Sequence, residues 1–225
     1  NNHAKKEEAK PKEPKEQKEA KQKEVKKEKD KATTGPVIIR REVIIADDGS
    51  DKQTAQIIKK YAVTLPIVHV WHEDNGFRKT IILNKALAAS TADYIIEIDG
   101  DIIVHKHFIK DHLKAAQKGY FVQGSRVMVG ELLSLKILAN KRLNFNCFTR
   151  GLVTRFNAIR FPSLSFLFKT NPESSHNVKG CNLAFWRKDY IHINGYFNGF
   201  QGWGWEDYEF AERLINSGIK KKRLK

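Results

Sequence analysis

Three acidic groups stand out in the chain by where they fall. In Tyr94-Ile95-Ile96-Glu97-Ile98-Asp99-Gly100-Asp101 an isoleucine-rich run stops at two carboxylates separated by a glycine. Such a run predicts a buried strand. On an extended segment residues i and i+2 project to the same side, so Asp99 and Asp101 could share one hard cation. Gly100 would let a phosphate approach the backbone closely. Taken alone, the triplet reads first as a strand closed by an ordinary Asp-Gly turn. A second pair, Asp47-Asp48, ends the β-branched stretch 37–46 and is followed by Gly49-Ser50. Carboxylates there could accept hydrogen bonds from a base N–H or from ribose hydroxyls.

The third group is Glu206-Asp207, preceded by Gly199-Phe200-Gln201-Gly202-Trp203-Gly204-Trp205. Alternating glycines and aromatics make neither a good helix nor a good strand. As a loop, however, Trp203 and Trp205 offer flat faces for the apolar side of a sugar ring. Glu206 and Asp207 then open the next helix, where the dipole favours acids in any case. Arg78, which begins a helix after Gly76, could add a charge-assisted contact to a diphosphate.

Strands and helices must hold these groups together. Residues 51–62 carry Ala55, Ile57, Ile58, Tyr61 and Ala62 at helical spacing, 67–71 read as a strand, and 78–90 carry Ile82, Leu83, Ala86 and Leu87 as a helical stripe. After the strand ending at Asp99, residues 108–118 predict a helix, 120–123 a strand, 180–186 a strand, and 206–217 a helix with Gly218 as its C-cap. Strands alternating with helices predict an α/β domain, its sheet mostly parallel and covered on both faces. Ligands of such sheets bind outside the carboxyl ends of the strands, where acidic turns after successive strands come out on one edge. Residues 127–179 differ in character. Leu132, Leu133, Leu135, Ile137 and Leu138 make one strongly apolar helix, and Arg150, Arg155, Arg160 and Lys169 punctuate a stretch with Phe156, Phe161, Phe166 and Phe168. A buried helical hairpin and a basic surface element on a membrane or a long acceptor are equally open readings.

Composition bounds the rest. Of 225 residues, 1–36 are mostly Lys, Glu, Ala, Gln and Pro, a composition that predicts disorder. The net charge is +15; the tail holds 12 lysines against 8 acids and the body 29 cations against 18, so the positive potential belongs mainly to the body. An anionic partner follows. Cys147 and Cys181 are too few for a disulfide framework and not spaced for zinc, which fits a reducing compartment. No run has the length of a membrane span and no apolar signal region opens the chain.

Taken in order, Ala46-Asp47-Asp48-Gly49-Ser50, Asn75-Gly76-Phe77-Arg78, Asp99-Gly100-Asp101, Gly180-Cys181-Asn182 and Gly202-Trp203-Gly204-Trp205-Glu206-Asp207 resemble family 2 glycosyltransferases of the GT-A fold. The nearest likeness is to bacterial polysaccharide and lipopolysaccharide enzymes whose C-terminal part is similar to animal galactosyltransferases. The resemblance covers about 42–225 and implies a Rossmann-like domain over 37–225, with 127–179 as a basic, aromatic helical insertion. It implies that Asp47 or Asp48 contacts uridine, Arg78 the diphosphate, and Asp99 and Asp101 the ribose and a Mn²⁺ (or Mg²⁺) ion. Asp207 would be the catalytic base, with Trp203, Trp205, Glu206 and Asn182 holding the acceptor.

The implied activity is inverting transfer of a sugar from a UDP-sugar to a hydroxyl of a growing glycan, free or lipid-linked, on the cytoplasmic side and with peripheral contact to the inner membrane face. No nucleic-acid partner is expected, because alternating Lys and Glu in the tail largely cancel. Two family features are unmatched: a first strand and helix before the Asp-Asp-Gly-Ser strand, and a histidine segment after the last helix. A member trimmed at both ends is therefore expected, with a gap in its sheet. The alternative is a remnant that binds sugar or nucleotide without transferring.

Overall fold

The computed structural model describes residues 42–141, 143–160, 171–200 and 202–224. The acidic–basic tail 1–36, the start of the first β-branched stretch, Phe161, Phe166, Phe168, Lys169 and Gln201 lie outside the described residues. In chain order the elements are β1 (Val43–Asp47), α1 (Lys52–Ala62), β2 (Ile67–Trp71), α2 (Lys79–Ala89), β3 (Tyr94–Ile98), α3 (Phe108–Ala115), β4 (Tyr120–Gln123), β5 (Met128–Val129), α4 (Glu131–Asn140), β6 (Leu152–Val153), a 3-10 turn (Arg155–Ala158), β7 (Asn182–Trp186), α5 (Arg187–His192), α6 (Glu206–Asn216) and β8 (Lys220–Arg223).

Local chemistry sets the helix ends. Asp51 caps α1, its Oδ1 accepting from the backbone N–H groups of Gln53 and Thr54 at 3.0 Å each. Beyond α6, Gly218 takes a φ of 84°, and its N–H and that of Ile219 close back on Ile215 and Leu214. That is the glycine stop the sequence predicts.

Among the described residues, β1 and β2 form a parallel pair, and β3-β7-β4-β8 form a second sheet. Within the second sheet β4 and β8 are parallel, but β7 is antiparallel to both β3 and β4. The sheet is therefore mixed where alternation of strands and helices predicts mostly parallel pairing. The strand β7 is reached through the long 124–181 connection rather than through a single crossover helix, and such a connection leaves strand direction free. Glu42 joins the two sheets at one end: its Oε1 accepts from the Ser90 hydroxyl and from the N–H groups of Thr91 and Ala92.

Alternation along the strands decides the core. Phe121, Leu183 and Phe185 face one side of the sheet, where Phe210, Ala211 and Leu214 of α6 cover them together with Tyr190 and Tyr196. Val122 and Ala184 face the other side with Ala115 of α3. The rings of Tyr196 and Phe210 stack at 4.1 Å between centroids, adding roughly 0.5–1.5 kcal/mol beyond area burial.

Two sequence expectations change. Among the described residues, 127–160 hold one helix, an antiparallel pairing of the two-residue strands β5 and β6 on either side of it, and a 3-10 turn, with no second α-helix to make a helical hairpin. Nor is α4 buried: Leu132 is 78% and Leu138 74% exposed. The second change is β8. Lys220-Lys221-Lys222-Arg223 is a strand, hydrogen-bonded alongside β4, although a run of cations carries no strand signal.

Candidate active site

The carboxyl end of β3 leads into the acidic cluster. The strand stops at Ile98, and Asp99 and Asp101 lie in a turn closed by Ile102 N–H donating to the Asp99 carbonyl at 3.3 Å. The i, i+2 argument for an extended segment therefore does not apply, and the turn presents the two carboxylates instead. A Cβ built at Gly100 would meet nothing within 4 Å, so this face of the turn is open.

Opposite Asp99 stands the start of α6. The Lys79 ammonium, at the first residue of α2, lies 3.4 Å from Asp99 Oδ1, 3.6 Å from Asp207 Oδ1 and 3.8 Å from Glu206 Oε1. Burial opposes its charge, but Asp207, Glu97, Asp99 and Glu206 outweigh it and hold Lys79 firmly protonated. Asp207 Oδ2 accepts from Gly180 N–H at 2.6 Å, whereas Oδ1, although buried, makes no hydrogen bond. Burial pushes the Asp207 carboxyl above its ordinary value, with Lys79 and the Gly180 N–H pulling the other way. Glycine at 180 has a steric cause, since a Cβ there would run into the Asp207 carboxylate. Glu206 is buried, and its Oε2 accepts from Gly204 N–H at 2.8 Å, pinning the loop to the helix. Above it Trp203 and Trp205 are 86% and 71% exposed.

Beneath the cluster Glu97 is buried. Its Oε2 accepts from the Tyr196 hydroxyl at 2.7 Å, while Oε1 has no partner. Burial raises its carboxyl to about 7 against the opposing pull of Tyr196 and Lys79.

The remaining sequence candidates divide. Asp47 is buried, its oxygens taken by Ser50 N–H at 2.8 Å and His69 Nε2 at 2.8 Å. Burial pushes Asp47 up, but the Ser50 and His69 contacts win and hold it below the usual carboxylate range. Asp48 is more open, with 24% of its side chain accessible against 2% for Asp47. It anchors the start of α2 by accepting from Arg78 N–H at 2.7 Å and pairs with His72. The Arg78 guanidinium folds onto the Glu73 carbonyl, leaving its buried Nε without a partner. Asn182 is committed internally: its Nδ2 donates to the Ser125 carbonyl and its Oδ1 meets His112 Nε2. The structure thus brings Asp99, Glu206 and Asp207 together, places Asp48 and Arg78 on a neighbouring turn, and turns Asp47 and Asn182 inward.

Lys79, Glu97 and Tyr196 carry no role in the sequence reading. Lys79 does leave a trace, because it shares the i, i+3, i+7 stripe with the buried Ile82 and Ala86. A cation on an inward stripe needs an anion.

Residues 38–177 match the profile of glycosyl transferase family 2. The chain belongs to glycosyl transferase family 2. Residues 166–225 match a second profile, the N-terminal domain of galactosyltransferase. Relatives of this family 2 chain include the chondroitin synthase of Escherichia coli, 25% identical over 79% of the chain and 28% of the relative. The hyaluronan synthase of Pasteurella multocida is 27% identical over 79% of the chain and 20% of the relative. The chain thus spans about a quarter of the length of these curated relatives. Among solved structures, TarS 1–349 of S. aureus superposes with a TM-score of 0.54 at 17% identity, over 81% of this chain and 48% of that one. GalNAc-T7 with UDP, GalNAc and Mn²⁺ gives 0.55 at 12%, over 81% and 36%, and a mannosyltransferase of Pyrobaculum calidifontis with GDP-Man and Mn²⁺ gives 0.51 at 18%, over 81% and 45%. The family 2 chain has the GT-A fold.

The metal implied by the fold can be set against its side chains. Among the described residues no three His, Cys, Asp or Glu side chains are grouped so as to hold an ion alone. A small hard cation does not need that, since one or two carboxylates with substrate phosphates complete its shell. Asp99 and Asp101, on a turn whose face at Gly100 is open, fit that arrangement.

Proposed function

We propose that this chain carries the donor-binding and catalytic machinery of an inverting, metal-dependent glycosyltransferase that adds a sugar from a UDP-sugar to a hydroxyl of a growing glycan. One observation carries the reading: Asp207, raised by burial, keeps an unbonded Oδ1 beside Asp99 and below two exposed tryptophans. A carboxylate moved toward neutrality is a better general base than an ordinary one. Asp207 Oδ1 takes the proton of the acceptor hydroxyl as that oxygen bonds to the anomeric carbon. The bond from that carbon to the diphosphate breaks on the opposite face, so UDP departs and the centre inverts. Trp203 and Trp205 stack on the acceptor ring, Asp48 accepts from the uridine, and Arg78 and Lys79 bring positive charge to the diphosphate side. Mn²⁺ or Mg²⁺, held by Asp99 and Asp101, would supply Lewis-acid neutralisation of the leaving diphosphate. GDP-Man with Mn²⁺ in one structural neighbour, UDP, GalNAc and Mn²⁺ in another, and the polysaccharide synthases among the relatives support this reading.

Transfer of label from a panel of UDP-sugars to oligosaccharide acceptors tests it. Asp207→Asn should lose roughly 10²–10⁴-fold in rate while still binding UDP. Equal rates in both proteins would remove Asp207 as the base, and no transfer from any donor by the unmodified chain would leave the sugar-binding remnant as the better description.

The acceptor side has a further partner in this reading. Leu132, Leu135 and Leu138 are exposed on α4, and Phe148 and Phe156 are exposed nearby in sequence, among Lys136, Lys141, Arg150 and Arg155. Apolar residues interleaved with cations suit an anionic lipid surface. Among the described residues no helix is long and apolar enough to cross a membrane; in this reading the exposed leucines make the contact peripherally.

A further inference from the structure

Two strands along from β3, at the same edge of the sheet, lies a cavity of about 410 Å³. Its floor is the end of β4, where Gly124 N–H donates to the Asn182 carbonyl at 2.9 Å, and Asn182 in turn pairs with Ile98, the residue before Asp99. One wall is Lys179 to Cys181, the segment whose Gly180 N–H holds Asp207. The cavity and the candidate base therefore share a wall.

Among the described residues four cations line this space, Arg126, Lys179, Lys221 and Arg223, and no carboxylate does. Among the described residues none of the four makes an ion pair. Lys221 is only 7% exposed, and its ammonium donates to a single carbonyl, that of His176, at 2.9 Å. Lys221 and Arg223 alternate on β8 and so project to one side, where burial first and Arg223 second work against the charge of Lys221. Burying a cation beside a like charge without a counter-ion is costly. Such a cost is tolerable where a ligand brings the missing negative charge. Asn157, Asn177 and Ser125 add amide and hydroxyl groups suited to sugar hydroxyls, and the volume lies in the range of small-molecule sites.

We propose that this cavity holds an acceptor sugar residue bearing an anionic group, either a carboxylate or a phosphate, seated on Lys221, Arg223 and Arg126. The inference rests on the transferase reading, since it places the acceptor chain beside Asp207. It also makes the acceptor anionic, which neither the tryptophan loop nor the acidic cluster requires.

Titration calorimetry of the full chain tests it with four probes: methyl β-D-glucuronide, glucose 6-phosphate, neutral methyl β-D-glucoside and inorganic phosphate. At least one anionic sugar should bind ten-fold or more tightly than the glucoside and than phosphate, and which one it is distinguishes carboxylate from phosphate. Arg126→Gln, at an exposed position, and Arg223→Gln should each weaken that binding at least ten-fold. Inorganic phosphate binding as tightly as the sugars would overturn the sugar assignment, and binding unchanged in both variants, or none at all, would overturn the site. UDP with Mn²⁺ is titrated into the same samples. If UDP binds and no anionic sugar does, this inference fails and the transferase reading stands. If the sugar binds and UDP does not, the donor reading fails and the cavity stands. Displacement of the bound sugar by UDP would reassign the cavity to the donor and overturn the proposal.

Discussion

At Lys79 one ammonium faces three carboxylates on two elements, and the state of Asp207 depends on it. Burial drives Asp207 upward and Lys79 is the strongest influence holding it down. In Lys79→Met that restraint is gone, so the acidic limb of the pH profile of kcat/KM should move to higher pH. A limb that stays in place would show that Lys79 does not act on the base. Glu97 gives a second prediction, on stability. The unfolded chain releases this proton near 4.5 and the folded chain holds it to about 7. Between those values the folded state binds more protons, so its stability falls as pH rises through the window, by about 3 kcal/mol in total. Glu97→Gln should flatten that part of the profile in urea denaturation at pH 4.5, 6 and 8, and a wild-type profile already flat would contradict the assignment. Asp47-Asp48 and Asp99/Asp101 were readable in the sequence because each group closes an apolar run, and Glu206-Asp207 because they follow the glycine–tryptophan loop. What their neighbours do was not: Asp47 and Asp48 are adjacent, yet one turns into His69 and Ser50 while the other stays partly open, a difference set by strand facing.

Among the elements, α1, α6 and the β1–β2 pair follow from periodicity and caps, as Asp51 and Gly218 illustrate. The helix α4 was readable as a helix but not as an exposed one, because Leu132, Leu135 and Leu138 on a helix look the same whether protein or solvent covers them. Its exposure yields a prediction at this scale. In vesicle sedimentation the chain should bind phosphatidylserine-containing membranes more than neutral ones, and the triple change Leu132→Ser, Leu135→Ser, Leu138→Ser should remove most of that binding. Binding equal to the wild type would mean that the leucines face something other than lipid. The strand β8 shows the converse failure. Four cations hide a strand that β4 pairs with along its whole length, and Lys221 and Arg223 become visible as cavity residues only through that pairing.

For the molecule as a whole, the mixed sheet brings β3, β4, β7 and β8 to one edge, so that an acidic turn and a basic cavity lie side by side. The body's excess of 29 cations over 18 acids is thus not spread evenly over the surface. Where anion and cation sites adjoin, a nucleotide-sugar with its metal and an acceptor can be held together, the condition for transfer without loss to water. Whether the acidic turn is the donor site is the claim on which the rest depends. Isothermal titration with UDP, in the presence and absence of Mn²⁺, tests it most directly when the unmodified chain is compared with Asp101→Ala. The account predicts binding that requires Mn²⁺ and disappears in the variant. Binding indifferent to both the metal and Asp101, or no binding by the unmodified chain, would contradict it.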